Sequence, residues 1–399
     1  MNYLLMNFTI SNLSGYFDGY RFHKGPFTFV IEKGSIAQIL SKSSKGDIDG
    51  SGKFLSVPFC DGHTHLIFEG DRSFELPLKI AGSSYADILE KGGGILNTVK
   101  ATRNASDEEL LQSVLRRLDI MMSSGTLVVE AKSGYGLKNE EELRQLRILN
   151  KANEMHPVEV VPTYCGAHAI PFDKDRDEYI EDIIQLIPEI VRDNLAKSID
   201  VFCDRGAYTV SETLRIFDAA SANNLPIRVH ADELEYTGIA KIAATKYNLR
   251  SADHLLMAKE EDFLVLEERN TTAMFMPAAT IGLFSKSYPQ GWKSTHVRIG
   301  LGSDFNPNNV VTSMQTALRL AVFLYRMLPE HAMKAATSGS FQGIYGYDLP
   351  ALKEGSDATF ILFNSPNIAN LVSQFDRNLV THVFKDGKLL VENKNVKRI

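Results

Sequence analysis

Val57-Pro58-Phe59-Cys60-Asp61-Gly62-His63-Thr64-His65 runs from an apolar strand into a pair of histidines. The apolar run starts at Phe54 and Leu55 and breaks at Asp61-Gly62, the punctuation expected where a buried strand ends. On a strand, residues two apart point to the same side. His63 and His65 therefore aim two imidazoles at one point, and imidazole is the commonest side-chain metal ligand. A lone His-x-His also arises on ordinary surfaces, so its meaning depends on what the rest of the chain supplies.

Downstream, strand-like runs alternate with helix-like ones. Stretches at 126–131, 158–164, 199–203, 227–230, 250–255, 271–276 and 297–302 are apolar or β-branched. Helical spacing occupies 139–155, 175–195, 211–223, 238–247, 259–268 and 312–327. With the strand before His63 this makes eight strands, and repeated βα units predict parallel strands with helices outside. Eight of them predict a closed (β/α)8 TIM barrel. The flanks read differently. Short β-prone runs at 7–11, 27–31 and 35–40, with Glu32-Lys33-Gly34 as a hairpin turn, precede the barrel. From about Asp348 short strands return at 357–363, 380–385 and 388–391, with Asp386-Gly387 as a turn. The expected architecture is α/β: a barrel over 55–345 and a small β-sandwich domain built from both chain termini, 1–54 and 346–399.

Helix starts carry capping signals at Ser106-x-x-Glu109 and Asn139-x-x-Glu142, and Ser211 reads as an N-cap. The connection over 66–105 is unusually long for a barrel and contains Gly92-Gly93-Gly94, which marks a lid or a tight turn. The triplet does not follow a strand and is not followed by Lys-Ser/Thr, so a phosphate cradle has no support.

Composition narrows the function. The chain has 399 residues, 44% hydrophobic and 23% charged, with a net charge of −6. That describes a globular protein. The only basic cluster, Lys394, Lys397 and Arg398, reads as a solvated tail, so nucleic acid is not an expected partner. No apolar run reaches membrane-spanning length, so no membrane partner is expected either. Cys60, Cys165 and Cys203 are far apart and form no Cys-x-x-Cys, which points to reduced thiols in a cytoplasmic protein.

In such a barrel the working residues stand at the C-terminal ends of strands. Reading those ends gives His63 and His65, Lys132-Ser133-Gly134-Tyr135, His168, Cys203-Asp204, His230-Ala231-Asp232-Glu233, Asp253-His254 and Ser303-Asp304-Phe305-Asn306. Five of the ten histidines fall at one mouth. Read alone, Asp304 is a loop carboxylate or a helix cap and His230 a core histidine. Together with His63 and His65 they make three nitrogens and one carboxylate with room for water, a set that suits Zn2+ or Fe2+. Glu233 either exchanges protons over the metal or caps the helix from Gly238. His254 is placed to orient water or stabilise an oxyanion. His168 contacts substrate or serves structure. Arg72 takes a carboxylate bidentately or makes a surface salt bridge. Tyr135, on a strand-end loop between glycines, offers its hydroxyl to a ligand. Cys203 reads as packing. Lys132 lies on the second strand and not the fourth, where a carboxylated lysine would bridge two metals, so one metal is expected.

These strings resemble the amidohydrolase superfamily. The resemblance is carried by His63-Thr64-His65-Leu66-Ile67-Phe68, Asp71-Arg72, Gly92-Gly93-Gly94-Ile95-Leu96 and Lys132-Ser133-Gly134-Tyr135-Gly136-Leu137. It continues in Gly166-Ala167-His168-Ala169-Ile170-Pro171, His230-Ala231-Asp232-Glu233, Ala252-Asp253-His254-Leu255 and Ser303-Asp304-Phe305-Asn306-Pro307, and it covers roughly 55–390. It implies hydrolysis of the ring amide of 4-imidazolone-5-propanoate to N-formimidoyl-L-glutamate, a step of histidine degradation. The implied metal ligands are His63, His65, His230 and Asp304, holding one Zn2+ or Fe2+/Fe3+ per subunit. Glu233, His254 and Asp304 would be catalytic. Arg72, Tyr135, His168, Glu233, Asn306, Asn308 and Asn309 would bind the substrate, and the subunits would form a homodimer. Asn308 and Asn309 stand where the family carries Gly and a small hydroxyl residue, and Pro277-Ala278-Ala279 replaces its Pro-Gly-Ala. The alternatives are another cyclic amidohydrolase or an aminohydrolase (deaminase) of the same superfamily, and a barrel that has lost catalysis.

Overall fold

Five strands precede the barrel: β1 (Phe8–Phe17), β2 (Phe22–Glu32), β3 (Ser35–Leu40), β4 (Ile48–Asp49) and β5 (Phe54–Ser56). The barrel itself is β6 (Phe59–Asp61), β7 (Thr126–Lys132), β8 (Glu159–Ala167), β9 (Ser198–Cys203), β10 (Ile227–Ala231), β11 (Leu249–His254), β12 (Thr272–Phe275) and β13 (Ile299–Leu301). The chain closes with β14 (Phe360–Phe363), β15 (Val380–Lys385), β16 (Lys388–Glu392) and β17 (Asn395–Val396). This is a computed structural model, and it describes residues 7–83, 87, 88, 91–171 and 173–397.

Strands β6 to β13 pair in chain order and in parallel. The first and last meet through backbone bonds: Gly62 N donates to Leu301 O (3.1 Å), Asp304 N to His63 O (2.9 Å) and His65 N to Phe305 O (2.8 Å). The seam is tight, because a Cβ on Gly302 would lie 2.6 Å from His63 Cβ. Closure thus brings Asp304 beside His63, although 240 residues separate them in the chain. The terminal strands pair as one nine-stranded sheet, ordered β17-β16-β15-β14-β5-β1-β2-β3 with β4 on β1.

The apolar run before the histidines is divided between the two sheets, a correction to its reading as one strand. β5 pairs with β1 and β14, whereas β6 pairs with β7. The chain crosses at Val57-Pro58, where proline has no N–H to continue a ladder.

Helices cover the barrel. The helix Asp107–Ser123 buries Leu110, Leu111, Val114 and Leu118, each contributing about 1.5–3 kcal/mol when fully removed from water. Its capping box, Ser106 with Glu109, is present as read. Two other caps differ. The helix Val210–Ala222 is capped by Thr209 with Glu212, not by Ser211. The helix Asn139–Met155 has no side-chain cap; Asn139 bonds Asp182 O, and Glu142 accepts from Gly136 N and Leu137 N instead. Replacing Thr209 with alanine should lower the unfolding free energy by about 1 kcal/mol, measured by urea denaturation, while Ser211→Ala should leave it unchanged.

The long connection is not a bare loop. Among its described residues are the helices Glu75–Ile80 and Ile95–Asn104, and the glycine triplet is a tight turn leading into the second, with Gly92 and Gly94 at φ +79° and +80°. Among the described residues no helix is long and apolar enough to cross a membrane.

Candidate metal centre and active site

The five histidines at the strand ends come together in a buried cluster. His63 lies against His65, His230 and His254 with ring centroids 5.4, 4.5 and 5.1 Å apart, and His65 stacks on His168 at 4.5 Å. Two carboxylates from deeper in the barrel fix two of the rings. His63 Nδ1 bonds Asp253 Oδ2 at 2.7 Å, and His230 Nδ1 bonds Asp200 Oδ1 at 2.8 Å. In both imidazoles this leaves Nε2 as the free donor atom, the arrangement by which a carboxylate orients a metal-binding histidine.

The free atoms converge. His65 Nε2 and His230 Nε2 are 3.4 Å apart, and Asp304 Oδ1 is 3.7 Å from Nε2 of both His63 and His65. A tetrahedral cation with bonds of about 2.1 Å requires donor separations of about 3.4 Å. His63 Nε2 is buried and has no hydrogen-bond partner among the described residues, which protein structures tolerate poorly. Burial holds His63 and His65 well below the ordinary histidine range, so both are neutral and able to ligate. Burial also pushes the Asp304 carboxyl up to about 6, a charge the surrounding side chains do not fully compensate. The residues fit a divalent cation. A second group within reach of one ion, His63 with His230 and His254, overlaps the first.

Glu233 sits at the edge of this centre. Burial, then the nearby charge of Asp304, holds its carboxyl well above the usual range. Its Oε1 is 3.0 Å from His254 Nδ1. Glu233 does not cap the helix Ile239–Lys246: its N-cap, Gly238, makes no side-chain cap bond, and the loop before it is held by Asp232, which accepts from Thr237 N and Gly238 N. Asp204 accepts from the backbone N–H of Glu233, Leu234 and Glu235, so one carboxylate sets the course of the whole loop. Asp232, His254 and Asp304 have positive φ of 53°, 74° and 49°, backbone strain of the kind that collects at functional sites.

Above the centre lies a cavity of about 600 Å³, lined by His65, Arg72, Tyr135, His168, His230, Glu233, His254, Asp304, Asn306, Asn308 and Asn309. His63 lies beneath, fully buried. Every site residue read from the sequence is therefore at the mouth, and three of them spend side-chain groups on other parts of the chain. Arg72 is bidentate to Glu75 (2.7 and 3.0 Å), leaving Nη1 as its nitrogen without a partner among the described residues. Asn306 accepts from Asn308 N and Asn309 N and donates to Asp304 O, so its amide builds the loop. Asn309 donates to Ser303 O and Asp304 O. Of these three asparagines, Asn308 alone has a side chain with no such duty. His168 Nδ1 pairs with Gly134 O, and burial pushes its pKa down to about 3. The Tyr135 hydroxyl has no hydrogen bond among the described residues, and burial raises its pKa. Cys203 is buried packing.

The sequence reading missed Asp200 and Asp253 as orienting groups, and also Glu75. Asp200 carried a signal, an acid inside an apolar strand at Ile199-Asp200-Val201. Such an acid stays buried only when it is paired.

The barrel and its metal-binding cluster are those of a metal-dependent hydrolase, and the chain belongs to the amidohydrolase family, whose profile matches residues 59–390. Members of this family use a divalent metal. Within it the chain groups with the imidazolonepropionases. It is 39% identical over 356 residues to imidazolonepropionase of Alkaliphilus metalliredigens, covering 88% of this chain and 84% of that one. It is 37% identical to that of Haloarcula marismortui (92% and 86%) and 36% identical to that of Treponema denticola (94% and 92%). Among solved structures, 5-methylcytosine deaminase from Klebsiella pneumoniae superposes with a TM-score of 0.76 at 16% identity, covering 98% and 100% of the two chains. Guanine deaminase from C. acetobutylicum gives 0.66 at 13%, covering 96% and 100%. At such identities the likeness is one of fold.

Proposed function

We propose that this enzyme hydrolyses the ring amide of 4-imidazolone-5-propanoate to N-formimidoyl-L-glutamate. The observation that carries this is the identity of 36–39% to relatives named imidazolonepropionase over most of both chains. The deaminases among the solved structures support a deaminase reading only at the level of fold.

His63, His65, His230 and Asp304 would hold the cation, zinc or iron. When bound, a divalent cation polarises a carbonyl and lowers the pKa of a water. The chain's own groups supply the rest. Glu233, its pKa raised by burial, takes a proton from the attacking water and returns it to the departing ring nitrogen. Burial keeps His254 neutral, and once Glu233 is protonated it can donate to Nδ1, so the other nitrogen of His254 presents its N–H to the developing oxyanion. Asp304 shares the proton traffic beside Glu233. Arg72 and Lys79 against the single charge of Glu75 leave that side of the cavity locally positive, which suits a propionate arm. Tyr135, His168 and Asn308 complete the substrate's surroundings, with Asn306 and Asn309 shaping the loop that meets it.

We further propose a barrel domain at 57–345, its start moved from 55 because Leu55 and Ser56 lie in β5 of the terminal sheet, with a small domain from 1–56 and 346–399, and a cytoplasmic homodimer. Three free, buried cysteines support a reducing compartment, and light scattering of the purified protein tests the dimer. The substrate is tested by following loss of imidazolonepropionate absorbance beside a panel of cyclic ureides and purines. Turnover should be confined to imidazolonepropionate, abolished by a strong chelator and restored by added Zn2+ or Fe2+. Faster turnover of any ureide or purine would replace this assignment.

A further inference from the structure

We propose that Lys132 is a positioning residue of the metal centre: its ammonium joins Asp200 and Asp253, the carboxylates that orient His230 and His63, and so fixes both imidazoles from one point beneath the cation site. This rests on the reading of His63 and His230 as ligands.

Lys132 is the last residue of β7 and is fully buried. Its Nζ is 2.7 Å from Asp200 Oδ2, 2.9 Å from Glu130 Oε1 and 3.8 Å from Asp253 Oδ2. Asp200 spends its other oxygen on His230, accepting from both Nδ1 and the backbone N. Asp253 Oδ2 takes His63 Nδ1 and also Arg228 Nη2, at 2.7 and 3.2 Å. Arg228 goes on to Gly62 O, and the Glu130 carboxylate accepts from Thr64 N while its backbone carbonyl accepts from Thr64 Oγ1. The backbone on both sides of His63 and the rings of His63 and His230 are thus tied to one buried network. Within it Lys132 alone reaches the carboxylates of both histidines. A swing of either ring must break a charged hydrogen bond in a water-poor interior, where such bonds are strong and their loss costly.

The network beneath the cation site is also net negative. Lys132 and Arg228 face Glu130, Asp200 and Asp253, which leaves one negative charge, and Asp304 adds a second. Burial works to lower the Lys132 pKa, but Asp200 and Glu130 override it and hold the group well above the ordinary lysine range.

A lysine that only balanced charge would have the opposite effect on metal binding. Removing a buried positive charge near a cation tightens binding by simple Coulomb attraction, whereas removing a positioning group weakens it. Lys132→Met keeps the stem and deletes the charge. Its zinc affinity, measured in competition with a chromogenic chelator, should fall about 10- to 100-fold, and the visible spectrum of the Co2+-loaded protein should change as the ligand geometry loosens. Wild-type or tighter affinity with an unchanged spectrum overturns the proposal. Because a lone buried deletion can prevent folding, Glu130→Gln with Lys132→Met restores the charge balance in a second variant. It should still bind zinc more weakly than wild type, and wild-type affinity there would assign Lys132 to charge balance alone. Failure of the wild type itself to take up zinc, cobalt or iron would instead remove the ligand reading on which the proposal stands.

Discussion

Glu233→Gln should leave a folded, metal-loaded protein whose kcat is about 10²- to 10⁴-fold lower, the range that a positioned acid–base group contributes. The substitution keeps the shape and the backbone bonds that Asp204 makes to the loop, since those bonds end on N–H groups and not on the side chain. It removes only the capacity to hold a proton. The amide cannot take a proton from water or deliver one to the ring nitrogen, and it leaves His254 without its carboxylate partner. KM should change much less than kcat, because Glu233 acts at the reacting bond and the propionate arm is held elsewhere. Steady-state kinetics with metal analysis of the same preparation checks both halves. Full activity in this variant would remove Glu233 from the chemistry.

Asp304→Ala should have the larger effect on the metal. Asp304 is the sole carboxylate among the four converging donors, 3.7 Å from Nε2 of both His63 and His65. Without it only imidazoles face the cation, and no carboxylate meets its charge directly. Metal affinity should fall by more than the roughly 10- to 100-fold typical of losing an orienting partner, and turnover should fall below detection at ordinary metal concentrations. Stability should move the other way. A buried carboxylate without a cation carries an uncompensated desolvation cost, so the metal-stripped variant should unfold at or above the temperature of metal-stripped wild type. Mass spectrometric metal analysis and thermal scans with and without chelator measure the two effects. Wild-type metal content would exclude Asp304 as a ligand.

The barrel was legible because βα alternation is a periodic signal, and the cluster of histidines with Asp304 because their strings mark strand ends. What the sequence hid were relations between distant elements. Phe54 to Asp61 reads as one apolar run, and only the pairing partners of β5 and β6 reveal that it serves two sheets. Asp200 and Asp253 lie inside strands, where a local reading has no reason to send a carboxylate toward a histidine 30 or 190 residues away. Arg72 reads as a carboxylate binder or a surface salt bridge, and in the structure it makes a buried ion pair with Glu75, three residues on. Asn306 and Asn309 line the cavity, and their amides are spent on the backbone of their own loop. At Thr209 and Ser211 two hydroxyl residues compete for one cap, and Thr209 wins because Glu212 stands three residues after it.

The most direct test of the account is the anomalous scattering of the metal-loaded crystalline protein at the absorption edge of its metal. A single peak per chain bonded to Nε2 of His63, His65 and His230 and to Oδ1 of Asp304 is the predicted result. A peak seated on His63, His230 and His254 with Asp304 and His65 free, or two peaks bridged at Lys132, would contradict it.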